Sequence, residues 1–336
     1  MKAIVVRAPA GLDRLELVDL PDPGTPGPGE IRVRVHASSL NFHDYGVATW
    51  ERTPDGRIPM SDGAGVVEAV GEGVTEFAAG DHVVSCFFPL WQDGPAGPLE
   101  GDFQHTPGDG VDGYAREVVV RPAAWFTHAP RGYDHREAAT LTTAGLTAWR
   151  ALVVDGGLRA GDVVLALGTG GVSIFALQIA KAMGAKVIVT SSSDEKLERA
   201  RALGADHTIN YRQHEDWGTL AREWTGGRGV DHVIEIGGAG TLAQSIKAVR
   251  VGGHVSLIGV LAGVSGEVPT GALLRKQARL QGLLVGSRRD QLDFVRAIEA
   301  TGLRPVIDRT FPLAAIADAF RLEKAGGHFG KICLEF

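Results

Sequence analysis

The run Asp162-Val163-Val164-Leu165-Ala166-Leu167-Gly168-Thr169-Gly170-Gly171-Val172-Ser173 decides the fold. Its first half is a short, continuous apolar segment, which predicts a strand buried on both faces, as a parallel sheet requires. Glycines follow at once; Ile174 to Met183 then takes helical spacing, and Lys186 to Thr190 reads as a second strand. Strand, glycine turn, helix and strand make one βαβ unit. In such a unit Gly168 and Gly170 permit a tight turn and let backbone amides approach a pyrophosphate, while the helix N-terminus adds N–H donors and partial positive charge. Gly168, Thr169, Gly170, Gly171, Val172 and Ser173 are therefore the expected phosphate grip of a dinucleotide site. Ser173 holds the third place of the G-x-G-x-x-G pattern, small but not glycine.

Downstream, the same alternation continues. Helices are expected at Glu195 to Leu203 and Thr241 to Val249, and strands near His207 to Asn210, Val230 to Glu235, His254 to Ile258 and Leu280 to Val285. Alternating strands and helices predict a doubly wound parallel sheet of the Rossmann type. Upstream, through about residue 125, short β-branched runs at 31–36, 65–70, 82–85 and 114–120 alternate with Gly, Pro and Asp, which predicts antiparallel or mixed sheet. Residues 88–113 lack either periodicity and read as a long surface loop, with Trp91 and Phe103 able to wall a substrate cleft. Arg136 to Trp149 and Val153 reads as helical, and Gly330 to Leu334 as a closing strand that rejoins the first domain.

Composition narrows the class. A chain of 336 residues with 44 % hydrophobic and 22 % charged content can bury a full core, and its length suggests two domains. A formal charge of -6 gives no general basic field for a nucleic acid. No apolar stretch is long enough for a membrane span, and the first residues lack the apolar core of a signal peptide. Two cysteines, Cys86 and Cys333, are too few for a disulfide framework and suit a reducing cytoplasm.

About 20 residues beyond the phosphate loop, NAD enzymes carry an acidic residue that accepts hydrogen bonds from the ribose 2′-hydroxyl. Here the chain reads Ser191-Ser192-Ser193, with Lys196 one turn into the next helix. Hydroxyls and an ammonium suit a 2′-phosphate, so the expected cofactor is NADPH. Asp194 and Glu195 stand close by and weigh the other way, and the serines also suit a helix cap.

These residues resemble the medium-chain dehydrogenase/reductase superfamily over essentially the whole chain, and within it the zinc-lacking quinone-oxidoreductase-like branch. The resemblance rests on Gly63-Ala64-Gly65-Val66-Val67-Glu68-Ala69-Val70-Gly71, Phe77-Ala78-Ala79-Gly80-Asp81-His82-Val83, Thr142-Thr143-Ala144-Gly145-Leu146-Thr147-Ala148, the phosphate loop, and Ala202-Leu203-Gly204-Ala205-Asp206, in family order. It implies an α/β chain with a GroES-like, mainly β catalytic domain from residues 1–140 and 287–336, and a Rossmann domain from 141–286. It also implies a substrate cleft between the two and a homodimer through the Rossmann sheet edge. Residue by residue, it places Asn41, Thr143, Ser191, Ser192, Lys196, Tyr211, Gly259, Val260, Leu283, Val285 and Lys331 around the cofactor.

Zinc-holding relatives carry a cysteine after the early strand, a Gly-His-Glu block and a further cysteine. Here Asn41 stands at the first place and Ser61-Asp62-Gly63 at the second, and the four-cysteine lobe is missing. A metal would need His43, Asp44 or Asp62 to converge with Cys86; no metal is expected. Without a Lewis acid, the expected chemistry is hydride transfer to an already electrophilic small molecule, a quinone, enal or enone. Asn41 would orient the nicotinamide or the acceptor oxygen, and Tyr45, His43 or solvent would supply a proton. Two alternatives remain open here: a zinc-type alcohol dehydrogenase, and a non-catalytic NADPH-binding protein.

Overall fold

The computed structural model describes residues 1–336, the side chain of Leu99 excepted. The chain divides into two compact units, residues 1–146 with 285–336, and residues 147–284.

The second unit is built on a six-stranded sheet, in spatial order His207–Asn210, Lys186–Ser191, Val163–Leu167, Val230–Glu235, Val249–Leu257 and Arg279–Gly282. Every pairing is parallel. Val163–Leu167 lies at the centre and is buried along its whole length, as its unbroken apolar sequence requires. Parallel neighbours need long crossovers, here the helices Gly171–Ala182, Asp194–Ala202, Trp217–Trp224, Ala239–Ala248 and Thr270–Lys276. The sheet order reverses beside Val163–Leu167, where open α/β sheets bind ligands at the strand carboxyl ends.

The helices Trp217–Trp224 and Thr270–Lys276 were not read from the sequence. The last strand ends at Gly282 and does not run to Val285, because Val285 takes a φ of 42°, a left-handed conformation costly for a β-branched residue that leaves the ladder.

The first unit holds a seven-stranded sheet and a two-stranded ribbon, Lys2–Val6 with Leu15–Asp19. Its central strand, Glu30–Ser39, pairs antiparallel with Ala64–Val70 and Val118–Pro122. The strand expected at 114–120 therefore begins only at Val118; Tyr114 and Ala115 instead bond the backbone at Met60 and Pro59. The closing strand Lys331–Glu335 lies antiparallel to Glu30–Ser39, with Cys333 opposite Ser39. This register sets Lys331 beside the residues that follow Ser39, although about 290 positions separate them in sequence.

Residues 135–154 form a nearly continuous helical run, with π-helical turns at Leu141–Gly145 and Arg150–Val154. Such turns often mark functional positions, and the first carries Thr142 and Thr143. The 88–113 segment is a loop except for the short helix Pro98–Asp102. Gly108 and Gly113 pin it: a Cβ on Gly113 would stand 2.2 Å from the Met60 carbonyl oxygen. No helix among the described residues is long and apolar enough to cross a membrane.

Candidate functional site

The glycine loop expected to grip a pyrophosphate begins where Val163–Leu167 ends. Gly168 has a φ of 73°, open to glycine without strain. Gly170 precedes the twelve-residue helix Gly171–Ala182 with extended backbone, and a Cβ built there meets nothing within 4 Å. The first-turn N–H groups of the helix, which the helix itself cannot satisfy, follow directly in the chain. Ser173 fits the third place because its hydroxyl donates to the Leu167 carbonyl at 2.5 Å, so the larger residue becomes a tie between helix and strand. Thr169 is buried, and Gly171 and Val172 are half-buried. These residues fit a pyrophosphate.

At the next strand end, Ser191 Oγ accepts the Ser193 N–H at 3.2 Å, and Ser193 Oγ accepts the Lys196 N–H at 3.3 Å. Ser193 is thus the cap of Asp194–Ala202, and Ser192, half-buried, is the hydroxyl outside that capping pattern. The Tyr211 N–H donates to the Ser191 carbonyl at 3.1 Å and its side chain is exposed. Asp194 has both oxygens engaged, by Asn210 Nδ2 at 2.7 Å and Gln213 Nε2 at 3.0 Å. At Gly259 a Cβ would stand 2.4 Å from the Ile236 carbonyl oxygen, so only glycine allows that approach. Val260 beside it is exposed, while Leu283 and Val285 are buried.

In the other unit a buried polar network forms around Asn41, which precedes the helix Phe42–Thr49. Asn41 Nδ2 donates toward Asp62 Oδ2 at 2.9 Å, Asp44 Oδ2 at 3.1 Å and the Ser39 carbonyl at 3.3 Å. Asn41 Oδ1 accepts from Lys331 Nζ at 2.6 Å. An ammonium only donates and a carboxylate only accepts, so these neighbours fix which way the amide faces. Asp62 also accepts from Ser39 Oγ at 2.5 Å and Thr143 Oγ1 at 2.6 Å, with Lys331 Nζ at 3.9 Å. Lys331 donates further to the Leu40 carbonyl. Asp44, Asp62 and Lys331 are all buried.

Burial, opposed by Lys331 and reinforced by Asp44, holds the Asp62 carboxyl up at about 6. Burial also raises Asp44, and it raises Glu323, which feels Lys331, Asp44 and Asp62, to about 8. Burial thus lifts all three carboxyls; the Lys331 ammonium opposes it at Asp62 and Glu323, and His43 opposes it at Asp44.

The other expected catalytic residues are not hydrogen-bonded into this network, although His43 acts electrostatically on Asp44. His43 Nε2 is 3.3 Å from Asp109 Oδ2, and Arg52 grips the same carboxylate through two 3.2 Å bonds. Burial works to raise the Asp109 carboxyl, but His43 and Arg52 outweigh it and leave it below its usual range. The His43 ring stacks on Phe103 at 4.8 Å and meets Trp50 and Phe87 edge-on. Residues 88–113 therefore fold over His43, with Trp91 buried against Phe88. Tyr45 packs elsewhere, against Phe42 and Phe320, with the Lys324 ammonium over its ring.

The structure thus joins Asn41, Thr143 and Lys331 in one network, places His43 against the long loop, and puts Tyr45 in a separate apolar cluster. Sequence reading did not assign Ser39, Asp44, Asp62, Asp109 or Arg52 to the site. The available signal was Asp62 itself, an acidic residue between Ile58-Pro59-Met60 and a Gly-Ala-Gly strand, where a carboxylate must find partners. Among the described residues no three or more His, Cys, Asp and Glu side chains group so as to hold a metal ion. Cys86 and Cys333 are buried, which pushes both thiols up to about 12, far from the thiolate a metal needs.

Residues 27–131 match the family model of the alcohol dehydrogenase GroES-like domain, and residues 171–300 that of the zinc-binding dehydrogenase. Over 97 % of its length the chain is 40 % identical to a zinc-type alcohol dehydrogenase-like protein of Schizosaccharomyces pombe, of which it covers 96 %. It is 32 % identical to a 2-haloacrylate reductase of a Burkholderia species, over 93 % of this chain and 92 % of that one. The crystal structure of an alcohol dehydrogenase candidate from Sinorhizobium meliloti 1021 superposes with a TM-score of 0.90 at 48 % identity, covering 96 % of this chain and 95 % of that one. The crotonyl-CoA carboxylase/reductase AntE, solved in complex with NADP, gives a TM-score of 0.87 at 26 % identity, covering 100 % and 94 %.

Proposed function

The chain belongs to the medium-chain dehydrogenase/reductase superfamily and is an NAD(P)-dependent oxidoreductase, and from that premise we propose that it uses NADPH, without a metal, to reduce a conjugated acceptor such as a quinone, enal or enone. The observation that carries this reading is the network at the place where zinc-holding relatives keep their ligand block. There Asp62 takes hydrogen bonds from Ser39, Asn41 and Thr143 and faces Lys331 at 3.9 Å, so three of its roughly four acceptor positions are taken by protein donors. That donor set does not fit zinc, which takes thiolate, imidazole or carboxylate in tetrahedral array. Two of the relatives support a conjugated acceptor: the substrates in their names, 2-haloacrylate and crotonyl-CoA, carry a double bond beside a carbonyl group.

In this reading Gly168 to Ser173 bind the pyrophosphate, and Ser192, Lys196 and Tyr211 bind the 2′-phosphate. Serine hydroxyls and a lysine ammonium are the donors a dianion needs, and Asp194, with both oxygens already taking amide N–H groups, is poorly placed to serve a 2′-hydroxyl instead. When bound, the dihydronicotinamide supplies a hydride. Asn41 has spent its amide N–H groups on carboxylates and a carbonyl, and keeps one acceptor position on Oδ1. It therefore suits a hydroxyl or amide donor of the cofactor rather than an acceptor oxygen of the substrate. His43, oriented by Asp109, is assigned the proton; Tyr45, packed against Phe320, is not. A second copy would add to the open edge strand Arg279–Gly282 to form a homodimer, and the protein would work in the cytoplasm.

The acceptor class is tested by comparing NADPH consumption with a 2-enone and with its saturated ketone. Without Lewis-acid polarisation the saturated ketone should turn over about a hundredfold or more slowly. Equal rates would remove the conjugated-acceptor reading.

A further inference from the structure

The cofactor edge of the Rossmann unit contains a feature that the 2′-phosphate reading leaves unexplained. Asp194 lies between Ser192 and Lys196, where a carboxylate would be expected to oppose a dianion. It is held on the turn after His207–Asn210: Asn210 Nδ2 donates to one oxygen at 2.7 Å and Gln213 Nε2 to the other at 3.0 Å. The holding groups are themselves fixed. Asn210 is buried, pairs with Ser191 across the parallel ladder, and accepts the Arg212 N–H on Oδ1 at 3.0 Å, so its amide nitrogen must face Asp194. The Gln213 N–H in turn donates to the Asn210 carbonyl at 3.1 Å, which seats both amides on one short turn.

Resting on the NADPH reading above, we propose that Asn210 and Gln213 are specificity-determining positioning residues. They clamp Asp194 on their own turn, so that its charge neither accepts a ribose hydroxyl nor swings toward the 2′-phosphate held by Ser192, Lys196 and Tyr211. The preference for NADPH then depends on side chains that never touch the cofactor. Released from the clamp, Asp194 gains freedom to meet a 2′-hydroxyl and to repel a phosphate, both of which favour NADH.

The test uses the full-length protein and measures dissociation constants of NADPH and NADH by nucleotide fluorescence. Gln213 is exposed, so Gln213→Ala keeps the fold, and Asn210→Ser keeps a small polar group in the buried place. Each should lower the ratio of NADPH to NADH affinity by roughly five- to tenfold. Adding Asp194→Asn to either should restore the ratio, because the released charge is then gone. Folded variants that keep the wild-type ratio, or that lose affinity for both nucleotides alike without rescue by Asp194→Asn, would overturn the proposal. A wild-type protein that binds NADH as tightly as NADPH would instead overturn the cofactor reading, and the clamp proposal with it.

Discussion

Gly170→Val is expected to leave the protein folded and to weaken NADPH binding by about a hundredfold or more, since the second glycine of the loop is where backbone meets pyrophosphate. The two glycines of this loop are needed for different reasons. Gly168 sits at a φ of 73°, where any side chain is strained, and its Cβ would stand 3.3 Å from Ile236 Cδ1. Gly170 has a φ of -76° and a ψ of -178°, a conformation any residue adopts, and its Cβ direction is open. Folding asks for glycine at 170 only as the helix cap, a preference of about 1 kcal/mol over valine, whereas a ligand at the helix N-terminus needs the open face. Thermal melts should show Gly170→Val losing about 0.5–1 kcal/mol, the cost of valine in place of glycine at a helix cap, while Gly168→Val loses about 1–2 kcal/mol. Unchanged NADPH affinity in Gly170→Val would place the dinucleotide elsewhere.

Lys331→Met should be strongly destabilising to the first unit. The ammonium is buried, bonds Asn41 Oδ1 and the Leu40 carbonyl, and faces Asp62. Removing one partner of a buried charged set leaves the others uncompensated, at about 3–5 kcal/mol. The cost should depend on pH with a definite sign. Asp62, held up at about 6 in the folded chain and near 3.8 unfolded, contributes stability that is complete below the unfolded value and is lost as pH rises through about 6. Without Lys331 its folded value rises further, so the gap between variant and wild type widens from pH 5 to pH 8. Glu323, raised to about 8, adds a wild-type loss of the same sign at more alkaline pH. Urea denaturation at the two pH values reads this out; a gap that narrows with pH would contradict the assigned charges.

What was legible in the sequence was what local pattern carries. The buried central strand followed by glycines announced the strand, turn and helix from Val163 to Ala182, and the closing strand after Gly330 was readable from its apolar run. The helix Trp217–Trp224 had a helical pattern in Trp217, Leu220, Ala221 and Trp224, but it spans only eight residues, short for periodicity to stand out from its polar surroundings. Thr270–Lys276 is shorter still and buries none of its residues, so it has little apolar face to read. The GroES-like unit was less legible for a different reason. Asn41 and Lys331 were named only through family resemblance, and what joins them, Asp62 and Ser39, is a set of contacts between segments that become neighbours only when the sheet forms. Pattern reports which face of a strand is buried; it does not report which charge lies opposite. The same limit hid Asp109, which in sequence is one acidic residue of a polar loop and in the fold is the partner of His43. Tyr45 shows the converse. It lies four residues after Asn41, yet Asn41 precedes the helix as its cap, and one turn on the chain has already turned toward Phe320.

The central claim is metal-independent, NADPH-driven reduction of a conjugated acceptor, and the most direct measurement is nucleotide oxidation by protein that has been stripped with a chelator and analysed for residual metal. Full turnover of an enone or quinone with NADPH after stripping, with NADH markedly slower, is the result predicted here. Activity confined to simple aldehydes, and only after zinc is restored, would contradict it.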